Sequence, residues 1–507
     1  MNKTPINQSS QAIETKMLNK LQQLIEQLSK NGIKYCHWKS NSALSQVLTG
    51  QTDVDFLIHR EDGNSFRLLM SQLKFRPAGI QGDAPFPAVE HYFALDEETG
   101  ILVHMHAYYR VITGESLSKN LHLPLEEMLL QNVRKEDSIQ VPAKSAELVV
   151  FTIRMMLKHT SLVELLMLAR DWKGMRREIE WLLEAKPTDE TLKLVENWLP
   201  AVDTRLFSQC IDALKTPALL PRRIILGLQL RSQLSIYARN SRLQAWLSGI
   251  QKFSLMAYGR LTRSKRAMIL QSGGAVIAFV GAEATGKSTL LTETRRWLGE
   301  HFVIDQIHAG KPKSTPLTML PNVLLPLLRS ALPTYRPSKL ITSSASTEQA
   351  QISPKVYPLI SAIRSVFLAY DRRALLSRAF AQAANGSIVL CDRYPSMSKG
   401  APDGPQLQQF EIDPKRYPIQ SWLARTEKRL YKEIPAPDMV ISLFVPLEVA
   451  LIRNKNRGKE EPEDYVRFRH SLASNLEYGN APVYKTNTDQ PLDTTVLEVK
   501  KNIWRNL

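Results

Sequence analysis

The sequence predicts an α/β protein of several domains: an amino-terminal α/β domain, a helical connector, and a carboxy-terminal domain whose parallel sheet is flanked by helices. Three observations predict it. A β-branched apolar run, AVIAFV, ends in the glycine-rich loop GAEATGKST and passes into a helical pattern behind Lys287, which is the strand, loop and helix order of a parallel α/β unit. A second stretch, GQTDVDFLIHRED, sets Asp53 and Asp55 at strand spacing, so that both side chains leave the strand on one side. Between these stretches lies a long run of apolar residues at three- and four-residue spacing, the mark of amphipathic helices. The expected domains are 1–144, 145–272 and 273–507.

Bulk properties set the frame. A chain of 507 residues has ample length for more than one core, at about 150 residues per domain. Cys36, Cys210 and Cys391 are far apart and show no C-x-x-C spacing, so no disulfide framework is expected and a reducing compartment fits. The first residues, MNKTPINQSSQ, are polar and read as no secretory signal. No apolar run reaches the ~18 residues of a membrane span; the nearest, LPNVLLPLL, is broken by two prolines. The expected location is therefore the cytoplasm, with a peripheral membrane attachment as the variant suggested by charge. The net charge is +17, and no acidic residue falls between Asp212 and Glu283, where Lys215, Arg222, Arg223, Arg231, Arg239, Arg242, Lys252, Arg260, Arg263, Lys265 and Arg266 cluster. Such a segment, roughly 215–266, suits an anionic membrane surface, nucleic acid or an acidic protein, although it carries no recognised nucleic-acid motif. Its alternative reading is a solvated basic face on helices packed in their own domain.

In the amino-terminal third, LQQLIEQLSKNGI reads as a helix and IKYCHW as a strand, followed by the acidic strand and the helix NSFRLLMSQLKF. Two carboxylates on one strand face, Asp53 and Asp55, can hold Mg²⁺ for nucleotide chemistry. A later strand, ILVHMHAYY, puts His104 and His106 on one face, with His91 on a neighbouring strand. These three either ligate a metal or stand as ordinary hydrogen-bonded histidines. The middle third, from Ser145 to about Leu270, is helical almost throughout and shows no catalytic constellation.

The carboxy-terminal third carries the clearest chemistry. Gly281, Gly286, Lys287 and Ser288 fit G-x-x-x-x-G-K-[ST], a phosphate-binding loop whose backbone N–H groups surround phosphates, with Lys on the β/γ oxygens and Ser on Mg²⁺. Glu283 and Thr289 belong to the same nucleotide-binding stretch. After a Pro- and Ser-rich insertion, a helix, an Asn385-Gly386 turn and the buried strand SIVLC lead to Asp392, Arg393 and Tyr394. A carboxylate at that strand end lies beside the loop and can hold Mg²⁺ through water. Beyond the strand PDMVISLFVP, Arg453 and Arg457 stand one helical turn apart and can face the same phosphates.

On GAEATGKST, LAYDRRALL, CDRYPS and VALIRNKNRGK, taken in this order, residues from about 275 to 507 resemble the thymidylate kinase family of P-loop kinases. That resemblance implies ATP and Mg²⁺ as cofactors and Lys287, Asp392, Arg393, Arg453 and Arg457 as catalytic groups. It also implies that Glu283 meets the acceptor sugar, that Arg372 contacts the acceptor base or phosphate, that Arg393 and Tyr394 form the acceptor-phosphate motif, and that Arg453 and Arg457 are lid arginines. Residues from about 21 to 112 resemble the minimal nucleotidyltransferases through Gly50, Asp53 and Asp55, with Lys39 as the lysine on the preceding strand; His104 stands where that superfold places a third carboxylate. The expected function is ATP-dependent phosphoryl transfer to a nucleoside monophosphate or a related phosphorylated small molecule. Its alternatives are a nucleotide-gated regulatory protein and a nucleotidyltransferase acting on a protein, RNA or sugar phosphate. Oligomeric state is left open.

Overall fold

The computed structural model describes residues 16–80, 88–114, 119–158, 160, 172–215, 220–241, 244, 254, 267–316, 318–319, 359–410, 412–456, 461–473 and 476–507. The chain is a mixed α/β protein that divides into two compact units, Met1–Arg266 and Ala267–Leu507.

The first unit is organised on strands β1 (Tyr35–His37), β2 (Val54–Ile58), β3 (Arg76–Ile80), β4 (Val89–Leu95) and β5 (Leu102–Tyr108). Within the unit they run in the order β1-β2-β5-β4-β3. β2 and β5 are parallel and the other neighbours antiparallel. The helix Asn19–Lys30 places Leu21, Leu24, Ile25 and Leu28 in the core, the three- and four-residue spacing of a single buried stripe. With the helix Gly63–Gln72 this stripe covers one face of the sheet through Phe56, Phe66, Met70 and Met105; each such side chain contributes about 1.5–3 kcal/mol of apolar burial.

Two small hairpins follow, β6 (Val111–Thr113) with β7 (Leu121–Leu123), and β8 (Val133–Glu136) with β9 (Ile139–Pro142). The helices Lys144–Lys158, Trp172–Leu183, Thr188–Trp198, Thr204–Lys215 and Leu220–Gln233 come next. They share one hydrophobic core with Cys36, Leu57 and Tyr108 of the sheet and with Trp38 just beyond β1, so helices and sheet form a single body. Arg223 departs from the expectation of a basic surface: it is fully buried. Its Nε donates to the Ala213 carbonyl at 2.6 Å and its Nη2 to that of Leu214 at 3.3 Å, and its guanidinium lies 4.3 Å from the Trp172 ring. The charge thus caps the carboxyl end of Thr204–Lys215, where carbonyls lack helical partners. Much of the remaining basic segment lies outside the described residues.

The second unit opens with the short strand β10 (Met268–Leu270) and then builds a fully parallel sheet from β11 (Ala275–Gly281), β12 (Ile304–His308), β13 (Ile388–Asp392), β14 (Met439–Phe444) and β15 (Val483–Asn487). Their order is β12-β13-β11-β14-β15. Strand order therefore reverses at β11, and the crevice beyond its carboxyl end is where such sheets bind ligands. Val276, Ala278 and Val280 pack against Leu376, Ala379 and Ala383 of the long helix Leu359–Ala384. The helices Lys287–Leu298 and Leu492–Asn506 meet through Trp297 and Trp504, ring centroids 6.5 Å apart. All three cysteines are buried and unpaired. No helix among the described residues is long and apolar enough to cross a membrane.

Candidate nucleotide site and a histidine–carboxylate cluster

The loop after β11 is shaped by two glycines. Gly281 has φ 149°, and a Cβ there would stand 2.5 Å from the Leu443 carbonyl oxygen. Gly286 has φ 84° and immediately precedes the helix Lys287–Leu298; such left-handed conformations cost side-chain-bearing residues steric energy. The turn brings a helix amino terminus, with its unpaired N–H groups, to the end of the central strand. Lys287 curls back over it, its Nζ donating to the carbonyl oxygens of Gly281 at 3.0 Å and Ala282 at 2.5 Å. Burial pushes the Lys287 amine down to about 8.

A cavity of about 320 Å³ opens here, lined by loop residues from Glu283 through Thr289 and by His308, Asp392, Arg393 and Arg453. Parallel register accounts for this: Asp392 pairs with both Phe279 and His308, so three strand ends deliver their side chains to one mouth. The His308 Nε2 lies 3.9 Å from an Asp392 carboxylate oxygen. Arg453 is held from the side by Thr488, with Nη2 donating to its carbonyl at 2.8 Å. Ser288 and Asp392, the hydroxyl and carboxylate expected at a Mg²⁺ site, line the same wall. Arg457 lies outside the described residues, as does most of the Pro- and Ser-rich insertion.

Beside the cavity, arginines converge on Glu283. Its Oε1 accepts from Arg393 Nη2 at 3.1 Å and lies 3.7 Å from Arg469 Nη2, while its carbonyl oxygen is 3.0 Å from His470 Nε2. Arg393, at φ 69°, also reaches Asp403 at 3.6 Å. Arg469 is largely buried and its Nε has no hydrogen-bond partner. Tyr394 is buried with its hydroxyl donating to the Pro435 carbonyl, and it joins Arg393, Asp403 and Arg469 around a smaller recess.

The structure places Arg372 differently from an open substrate contact. Its guanidinium donates to the carbonyls of Ala309, Gly310 and Asp403, to the Tyr431 hydroxyl and to the Asp403 carboxylate. Those five bonds occupy all five of its donors. Arg372 thereby fixes Asp403, against which Arg393 rests. His308, Asp403, Arg469 and Thr488 are absent from the sequence-based set of site residues. The short strand ending in His308 offered only the weak alternation of IDQIH, and the other three approach the loop through the tertiary fold.

The first unit holds a second constellation. Asp53 precedes β2 and Asp55 lies within it, paired in parallel register with His106 of β5. His104 Nδ1 is 2.8 Å from Asp53 Oδ1, and His106 Nδ1 is 3.0 Å from Asp55 Oδ1. Lys39 Nζ reaches Asp55 at 3.0 Å and the Tyr108 hydroxyl at 2.9 Å. Burial would raise Asp55, but Lys39 and His106 outweigh it and hold the carboxyl well below the usual range. Burial also drives the Lys39 amine down to about 8, against the pull of Asp55. On the antiparallel neighbour β4, His91 lies opposite His106. Its Nδ1 is 3.3 Å from His104 Nε2. Burial, then the rings of His106 and His104, push His91 down to about 3.

No protein-family model matches the chain. In its carboxy-terminal half it is similar to two curated proteins, each called an uncharacterized ATP-binding protein YghR, from Escherichia coli strain K12 and from Escherichia coli O6:H1 strain CFT073. Each is 25% identical over 235 residues, which cover 45% of this chain and 86% of the relative.

Proposed function

We propose that the second unit is an ATP-dependent phosphotransferase acting on a nucleoside monophosphate or a related phosphorylated small molecule. The observation that carries this reading is the cavity in which Lys287, Ser288, Asp392, Arg393, Arg453 and Glu283 come together at the end of β11. A triphosphate suits the loop: its turn leaves no room for a Cβ at Gly281 and presents N–H donors to an anion. The similarity to proteins named as ATP-binding adds to it. Ser288 and Asp392 are the groups that would hold Mg²⁺, which when bound offsets charge on the transferring phosphoryl group.

The chain's own groups divide the remaining work. Lys287 and Arg453 neutralise phosphate oxygens on the donor side. Arg393 and Arg469, both on Glu283, present positive charge where an anionic acceptor would sit. A phosphate acceptor needs only to be positioned in line, without a strong base, and two arginines suit that task. The test is product profiling by mass spectrometry, with ATP, Mg²⁺ and a pool of nucleoside monophosphates. Lys287→Ala is expected to lower turnover by about 10²–10³-fold; unchanged phosphotransfer in that variant would overturn the assignment.

For the first unit, the grouping of Lys39, Asp53 and Asp55 favours a nucleotidyltransferase-like domain. Labelled-nucleotide incorporation that disappears in Asp55→Ala is the expected sign of activity there, and incorporation that survives it rules this site out as the source.

A further inference from the structure

We infer that His91, His104 and His106 form a binding site for a divalent transition metal of the Zn²⁺ class, with Asp53 and Asp55 orienting two of the ligands. One nitrogen from each ring lies within 4.8 Å of the other two. His91 Nδ1 and His104 Nε2 are 3.3 Å apart, which is about the separation of two nitrogens bound to one tetrahedral ion at Zn–N distances near 2.0–2.1 Å. The three side chains come from two adjacent strands of a sheet, β4 and β5, a rigid platform for a fixed ligand set.

The carboxylates complete the pattern. Asp53 accepts from His104 Nδ1 and Asp55 from His106 Nδ1. A histidine that donates one ring N–H to a carboxylate presents its other nitrogen as a lone pair in a fixed orientation, which is how metal-binding imidazoles are supported. Lys39 holds Asp55 in turn. The ring of His104 is stacked on Phe93, with centroids 4.2 Å apart and planes 3° from parallel, which limits its rotation.

The donor set selects the ion. Mg²⁺ takes hard oxygen ligands in octahedral array, whereas imidazole nitrogens suit Zn²⁺, Co²⁺, Ni²⁺ or Fe²⁺. Three protein nitrogens leave a tetrahedral ion one position for water or substrate. This ligand set differs from the Mg²⁺ pair expected on Asp53 and Asp55, and the two assignments predict opposite metal preferences.

The experiment uses the untagged full chain, stripped with chelator and titrated with Zn²⁺ or Co²⁺ alone, without nucleotide. The expected result is one tight equivalent per chain and, for Co²⁺, the intense visible absorption of a tetrahedral nitrogen-ligated ion. His91→Ala, His104→Ala and His106→Ala are each expected to weaken binding by about 100-fold or more, and Asp53→Asn by about 10–100-fold. Melting curves of the stripped variants check their folding, and His91→Gln and His106→Gln replace any that fail. In the unmutated chain, Zn²⁺ is expected to protect these histidines from diethyl pyrocarbonate, as read by peptide mass. Failure to bind Zn²⁺ or Co²⁺, unchanged affinity in folded His91 and His106 variants, lack of protection, or equal competition by Mg²⁺ each overturns the assignment.

Discussion

Gly281 and Glu147 show how single positions set the limits of each unit. Because a methyl at 281 would meet the Leu443 carbonyl of the neighbouring strand, Gly281→Ala must open the pairing of β11 with β14 or distort the loop. A loss of about 2 kcal/mol or more is expected, together with weakened ATP binding, measurable by melting and by calorimetric titration. Glu147 lies buried in the helix Lys144–Lys158. One carboxylate oxygen accepts from the Asn41 N–H at 3.1 Å and the other has no partner. Burial pushes this carboxyl up to about 7 from 4.5. Its stabilising contribution is therefore fully present below about pH 4.5 and is lost as pH rises through about 7. Glu147→Gln keeps an acceptor for Asn41 and removes the titration. The variant is expected to exceed the wild type by about 1–2 kcal/mol near pH 8, with the gap closing toward pH 5; denaturant titrations at the two pH values measure it.

Among the elements, the cross-brace from Leu359–Ala384 has the largest mechanical role. Arg372 ties that helix to the segment after β12, to Tyr431 of Pro418–Lys432 and to Asp403. Its removal leaves buried acceptors unpaired, so Arg372→Ala is expected to cost about 3–5 kcal/mol. Arg372→Lys should recover little, because one ammonium cannot span a five-donor fork. Thermal melting reads both, and a raised KM for the acceptor is expected wherever the protein stays folded, since Asp403 then ceases to hold Arg393. The sequence made some of this architecture legible and hid the rest for identifiable reasons. Gly281, Gly286, Lys287 and Ser288 are contiguous and sit between a strand and a helix, so local pattern alone placed the loop. Arg372 was visible as a residue, but its orientation depends on carbonyls more than sixty positions away in the chain, at 309 and 310. Arg223 read as surface charge because a fully buried guanidinium that caps a helix has the same composition signature as a solvated one. The link of His106 to Asp55 followed from register across β2 and β5, which alternation within either strand could not supply, and His104 meets Asp53 just before β2.

At the scale of the whole molecule, two compact units divide the chain at Arg266 and Ala267, and each carries its own candidate ligand site. Differential scanning calorimetry of the full chain is expected to resolve two transitions. ATP with Mg²⁺ should raise the transition of the second unit, by about 2.7 kcal/mol at a hundredfold excess over Kd, and Zn²⁺ should raise the other. A single transition shifted equally by both ligands would show that the units melt together. The cysteines supply an internal stopwatch for these events. Cys36 and Cys210 lie in the first unit and Cys391 in β13 of the second, all fully buried; burial pushes the Cys210 thiol up to about 12 and the Cys36 and Cys391 thiols higher still. A thiol reagent can therefore reach each one only when its surroundings open. Labelling rates then clock the opening of each unit separately in one unmodified chain. ATP is expected to slow the labelling of Cys391, next to Asp392, and to leave Cys36 and Cys210 at their own pace.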